Sequence, residues 1–220
     1  MGCFESKEAG DGEPEWVSPW GMFPARFCIR LKVTGFAGDA FYYITYNPDD
    51  PEPAYTASVS LGMSGKIALH SGPDVENGPL LVSAKTNGMS GRKHEIYWTD
   101  GSTTELRSED METYSYEVRG EMYHWTRADA GEVSGILGEE CAEAWKAVRD
   151  GDDEPLAVFG ELPEFMYSNG YGRFAFLQNG VPGTQGEGEH WAEFTATAML
   201  KVWQMRAIGD LSNAVGGTMG

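Results

Sequence analysis

The chain has 220 residues, of which 41% are hydrophobic and 12% aromatic, and 16 Lys plus Arg stand against 34 Asp plus Glu for a formal net charge of -18. This is a globular composition, long enough for one good-sized domain and rather short for two. With no Lys and Arg clustered along the sequence, the anionic balance argues against nucleic acid as a partner, because a backbone binder must displace counterions from phosphates.

The first seven residues, Met-Gly-Cys-Phe-Glu-Ser-Lys, read as a double lipidation signal. Gly2 follows Met1 and Ser6 stands four residues on, the pattern read by an N-myristoyltransferase; Cys3 beside it is placed for S-acylation by palmitate. One myristoyl chain binds a bilayer only marginally, with an association constant of about 10⁴ per molar, so stable residence needs a second signal. An anionic leaflet repels a body of charge -18, so a second acyl chain on Cys3 is expected to supply it. Residues 1–24 are acidic and rich in Gly and Pro, and they read as a flexible tether. Trp16, Trp20 and Phe23 are expected to pack onto the domain that follows or, as the second reading, to dip into the membrane interface. Three cysteines, Cys3, Cys28 and Cys141, form an odd set with no secretory segment ahead of them, which suits a reducing compartment. Cys28 and Cys141 are expected to be buried thiols.

Beyond the tether, short β-rich runs alternate with Gly, Pro, Asn and Asp at intervals of roughly ten residues, as in antiparallel sandwiches and barrels. The run from Phe27 to Val33 alternates apolar and basic residues over its last five positions, as a half-buried strand does. Further strands are expected at 41–46, 55–61, 66–70, 80–86 and 94–99, with a hairpin-type turn at Thr99-Asp100-Gly101-Ser102. Gly-Met-Ser-Gly occurs at 62–65 and again at 88–91, which reads as two similar turns rather than a repeat. Tyr114–Val118 and Glu121–Thr126 form a candidate hairpin across Arg119-Gly120. Residues 142–149 fit strand or helix, and 156–159 and 172–177 read as strands.

From about Glu189 to Ile208 the period changes to that of a helix, apolar around most of its circumference, with Trp191, Phe194, Ala198, Val202 and Met205 at helical spacing. Glu193, Thr197, Lys201 and Gln204 make a narrow polar stripe, expected to face water or a polar pocket. Gly209 is the expected C-terminal cap. Glu193, Lys201 and Arg206 interrupt the apolar run, which argues against a membrane span. The helix is expected to be the core element on which the strands close.

A dozen or so short strands followed by such a helix resembles the tubby C-terminal-like superfamily, which includes tubby, the phospholipid scramblases and the LURP-one-related proteins. Individual segments resemble its fungal branch: Tyr43-Ile44-Thr45-Tyr46, Leu69 to Pro73, Pro79 to Lys85, Tyr123-His124-Trp125, Trp145 to Arg149 and Pro155 to Val158. The likeness spans about Arg26 to Gly209. It implies a mainly β fold, a single antiparallel barrel of about twelve strands around a C-terminal hydrophobic helix, with domain limits of 25–209 and a C-terminal tail at 210–220. The basic headgroup ligands of tubby find no matching cluster along this sequence.

Four histidines, His70, His94, His124 and His190, share no metal-type spacing and are expected to be structural. Ser64 and Ser90 fall outside a nucleophile-elbow frame, and the Gly-rich segment 180–188 lacks the lysine of a phosphate loop. The acidic turns at Asp49, Asp50 and Glu52 and at Asp150 to Glu154 are expected to be solvated loops. Pro155 stands where an EF-hand loop needs Gly. The expectation is a non-enzyme without cofactor, catalytic residue or metal: an acylated binding or scaffold protein at the cytoplasmic face of a membrane, the plasma membrane first. Its partners would be the bilayer through the acyl chains, and a phospholipid or a protein. The alternative is a phospholipid-binding or scramblase-like lipid-handling protein.

Overall fold

A computed structural model describes residues 24–34, 39–60, 65–87, 92–110, 112–163, 169–177 and 189–216, with the side chains of the last segment described from Trp191 through Arg206. Gly2, Cys3, Trp16, Trp20, Phe23, Ser64, Ser90, the side chain of His190 and segment 180–188 therefore lie outside the described residues.

The strands are β1 (Arg26–Thr34), β2 (Asp39–Thr45), β3 (Tyr55–Ser60), β4 (Ile67–Ser71), β5 (Leu80–Asn87), β6 (Lys93–Trp98), β7 (Thr103–Ser108), β8 (Thr113–Val118), β9 (Glu121–Arg127), β10 (Glu143–Arg149), β11 (Ala157–Glu161) and β12 (Asn169–Phe176). Each pairs antiparallel with its neighbours in sequence, and β12 pairs with β1, so the sheet closes into an up-and-down barrel. Closure leaves no unpaired edge. The helices are α1 (Ala130–Leu137) and α2 (Glu189–Gly216).

The period of two along each strand sends alternate side chains inward. On β1, Phe27, Ile29 and Leu31 are buried inside, and Arg26 and Lys32 are exposed outside. The β8–β9 hairpin turns as its sequence requires, with Arg119 at φ 54 and Gly120 at φ 86, the left-handed pair of a tight two-residue turn.

In place of a lumen there is α2, which threads the barrel. Trp191 packs on Tyr123 and Phe176 near one end, with ring centroids 5.7 Å apart in both pairs. Phe194 stacks on Tyr116 at 4.6 Å, and Trp203 lies 5.2 Å from Tyr42 and 5.3 Å from Phe159 farther along. Near the other end the Arg206 guanidinium pairs with the Glu143 carboxylate and lies 5.7 Å from the Trp145 ring. Residues 191–204 are all buried, because this helix is itself the core of the barrel.

The structure corrects one boundary, resolves one open choice between strand and helix, and adds one helix. The helix runs through Gly209 to Gly216; one helical glycine costs only about 1 kcal/mol relative to Ala, too little by itself to stop a helix. Residues 143–149 are strand β10, because Ala144, Trp145 and Ala147 find buried places in the closing sheet. Helix α1 was not legible in the sequence: it lies on the outer wall, where Val133 packs with Cys141, Ala144, Val158 and Ala175.

Candidate functional site

On the outer wall where β12, β1 and the chain after β2 meet lies a pocket of about 150 Å³, lined by Cys28, Arg30, Pro48, Glu139, Tyr171 and Arg173 among others. Antiparallel register builds it: Cys28 stands opposite Arg173 on β12 and Thr45 on β2, and Arg30 opposite Tyr171 and Tyr43. Two local devices supply the rest. The turn after β2 is held by the Asp50 carboxylate, which accepts from the Asn47 N–H at 2.7 Å. It presents the Pro48 carbonyl, which accepts from Arg30 Nη2 at 3.0 Å. Helix α1 is capped at its start by Asp129, whose carboxylate accepts from the Glu132 N–H at 2.8 Å, and ends at Gly138 with φ 78. Glu139 follows at once and reaches Arg173.

The Arg173 guanidinium donates both to the Cys28 sulfur and to the Glu139 carboxylate. Arg30 lies over the Tyr171 ring, 5.5 Å from its centroid. Burial pushes the Cys28 thiol above its ordinary pKa, and the neighbouring Arg173 only partly opposes this. The sulfur is therefore a thiol at neutral pH, a poor nucleophile. The pocket thus brings the Arg30 and Arg173 guanidiniums together with the Glu139 carboxylate, and the charge of Asp50 is also felt at Cys28.

Of the two surroundings expected for the polar stripe of α2, water and a polar pocket, the structure excludes water. Glu193, Thr197, Lys201 and Gln204 are all buried, none more than 4% exposed. Lys201 Nζ donates to the Gly65 carbonyl and, at 2.8 Å, to Gln204 Oε1; Gln204 Nε2 donates to the Ser60 carbonyl at 2.7 Å. Burial pulls the Lys201 pKa down to about 7. His94, fully buried, shares a 3.3 Å hydrogen bond between Nδ1 and Thr86 Oγ1, and burial, with Lys201 nearby, lowers its pKa to about 4. Lys201 and Gln204 thus fasten the helix to the barrel wall, and all four residues of the stripe are shut off from solvent.

The other sequence candidates separate cleanly. Cys28 and Cys141 are buried free thiols, as expected. His70 meets the Gly78 carbonyl at 2.9 Å, and His124 sits between Ser115 Oγ at 2.9 Å and the Asp150 carboxylate at 3.4 Å. Among the described residues no group of three or more His, Cys, Asp or Glu could hold a metal ion. Sequence reasoning missed Arg173 and Glu139, which lie 145 and 111 positions from Cys28. The alternating basic residues of β1 were the available signal.

No family model, curated protein or solved structure matches the chain.

Proposed function

We propose that this chain is a membrane-tethered, non-enzymatic binding or scaffold protein, myristoylated at Gly2 and S-palmitoylated at Cys3, whose tubby-like barrel stands at the cytoplasmic face of the plasma membrane. The observation that carries the binding-module part is the packing of the barrel interior by Trp191, Phe194, Met199, Val202 and Trp203. With its lumen occupied by its own helix, the barrel has its outer surface left for recognition. Exposed Arg26, Lys32, Lys85, Lys93 and Arg107 on the strands support a barrel bathed in water rather than one lying within lipid. Among the described residues, no helix is long and apolar enough to cross a membrane. The anchor reading rests on Met1-Gly2-Cys3 and Ser6 and on the net charge of -18.

Intact mass of the protein from its own cells should show loss of Met1 and the mass of both acyl chains. Microscopy should find the full chain at the cell periphery, Gly2→Ala diffuse in the cytosol, and Cys3→Ser largely released. An unmodified amino terminus, or Gly2→Ala still at the periphery, would overturn the reading. The alternative, a phospholipid-binding or scramblase-like lipid-handling protein, draws support from Arg30 and Arg173 at the outer pocket. Liposome flotation that survives removal of both acyl chains would favour it.

A further inference from the structure

The net charge says that the body is repelled by an anionic leaflet, but a leaflet senses only charges within roughly a Debye length, about 10 Å at 0.1 M salt. What matters is how charge is arranged on the wall that faces it. The strand period answers this for β1. Its inward residues are Phe27, Ile29 and Leu31, so its outward row is Arg26, Cys28, Arg30 and Lys32. Register then adds Arg173 from β12 opposite Cys28. Four of the chain's 16 basic residues thus share one two-strand face.

That face also carries aromatic rings on both sides. Tyr171 stands opposite Arg30 on β12, and on β2 Tyr43 stands opposite Arg30 and Phe41 opposite Lys32, with Phe41 and Tyr43 stacked at 6.1 Å. All three rings are half-buried. Cationic side chains beside amphipathic rings suit the headgroup region of a bilayer. The carboxylates on and beside the face are Asp39, in the outward row of β2 with Phe41 and Tyr43, Glu139, already paired with Arg173, and Asp49 and Asp50 in the turn after β2, where Asp50 is occupied by Asn47. Arg26, Arg30 and Lys32 have no carboxylate partner among the described ion pairs. Elsewhere on the barrel basic side chains do have carboxylate partners: Lys85 pairs with Glu95, and Lys93 and Arg107 share the one Glu105. Finally, Arg26 opens the first strand, so the segment bearing Gly2 and Cys3 joins the barrel at one end of this row.

We propose that the outer wall of β12, β1 and β2 is the face the tethered barrel lays against anionic phospholipid. This rests on the tether reading for its setting, and it gives that reading an orientation. The wall would slow departure from the surface without anchoring the protein alone, since the rest of the body is repelled.

The test replaces the acyl chains so that the two readings fail separately. The full chain with an amino-terminal hexahistidine tag is bound to phosphatidylcholine vesicles through a nickel-chelating lipid, with or without 30% phosphatidylserine, and its release by imidazole is timed. Phosphatidylserine should slow release of the wild type by about tenfold, the attraction of one to two basic side chains at the surface in total. The slowing should vanish at about 1 M salt. Arg30→Glu with Lys32→Glu should abolish it, and the milder Arg30→Gln with Lys32→Gln should reduce it should the reversal fail to fold. Lys85→Glu with Lys93→Glu should leave it intact. Release that phosphatidylserine leaves unchanged or hastens, or equal sensitivity to the β5–β6 pair, would overturn the proposal. In that event the basic wall would suit an acidic protein segment instead. Because the anchor is artificial, a bare amino terminus in the native protein would sink the tether reading and leave this result standing.

Discussion

Along α2, Trp203 and Lys201 stand two residues apart and both are almost wholly buried, at 2% and 0% exposure, yet different forces hold them. Trp203 lies against the rings of Tyr42 and Phe159, where stabilisation scales with apolar area and tolerates small shifts in position. Lys201 depends on the Gly65 carbonyl and Gln204 being in place, since a buried amine without acceptors is strongly unfavourable. One side of the helix supplies most of the stability. The other fixes how the helix is set in the barrel, because a rotation or one-residue slip that still buried apolar surface would strand the amine.

The largest expected effect is on the aromatic side. Trp203→Ala removes a ring stacked on Tyr42 and tilted against Phe159, and should lower stability by about 3–5 kcal/mol, read from urea unfolding. A loss near 1 kcal/mol would mean that the rings contribute less than their burial implies. On the polar side, Gly65→Ala sharpens the comparison. Gly65 has φ +46, and a methyl there would meet Thr86 Oγ1 at 2.7 Å and Lys201 Nζ at 2.8 Å. Backbone strain and a displaced amine should together remove about 1–3 kcal/mol, and Gly135→Ala, where a methyl meets nothing within 4 Å, should be neutral or stabilising.

The effect smallest at any single measured step is a slope in pH. Folding holds Lys201 near pKa 7 against an ordinary 10.5, so between those values the unfolded chain binds more protons. Stability from this group therefore rises with pH from about 7 to about 10.5, by at most about 1.4 kcal/mol per pH unit, and is constant below. His94, lowered to about 4 from 6.5, gives the same sign between those values, with stability lost as pH falls through them. Lys201→Met should flatten the alkaline limb relative to wild type, and His94→Gln the acid limb, in unfolding curves taken at half-unit steps. A Lys201→Met curve parallel to wild type from pH 7 to 10 would show that the amine is charged in the fold.

How much of this was legible in the sequence follows the range of the signal. Alternation from Phe27 to Val33, the tight turn at Arg119-Gly120 and the helical period from Trp191 onward are local, and each element formed where its pattern stood. Strand β7 and helix α1 were not: Thr103–Ser108 is short and has only Leu106 fully buried, and α1 rests on the single buried residue Val133. Of the two readings of the stripe Glu193, Thr197, Lys201 and Gln204, water or a polar pocket, burial rules out the first, and the contacts of Lys201 and Gln204 are those of a polar pocket. Polar residues inside a barrel look no different in sequence from polar residues outside it; the carbonyls that make the burial tolerable come from Ser60, at the end of β3, and Gly65, just before β4, far away along the chain.

Sequence periodicity thus determined the kinds of element, most of their positions and the alternation that puts Arg26, Arg30 and Lys32 on one side of β1, because spacings of 2 and 3.6 residues are properties of the backbone alone. Tertiary structure decided which side was out, that β12 returns to seal the sheet and brings Arg173 beside Cys28, and that α2 replaces a lumen. Those outcomes depend on burying one helix's apolar surface inside one closed sheet, a balance struck over the whole chain.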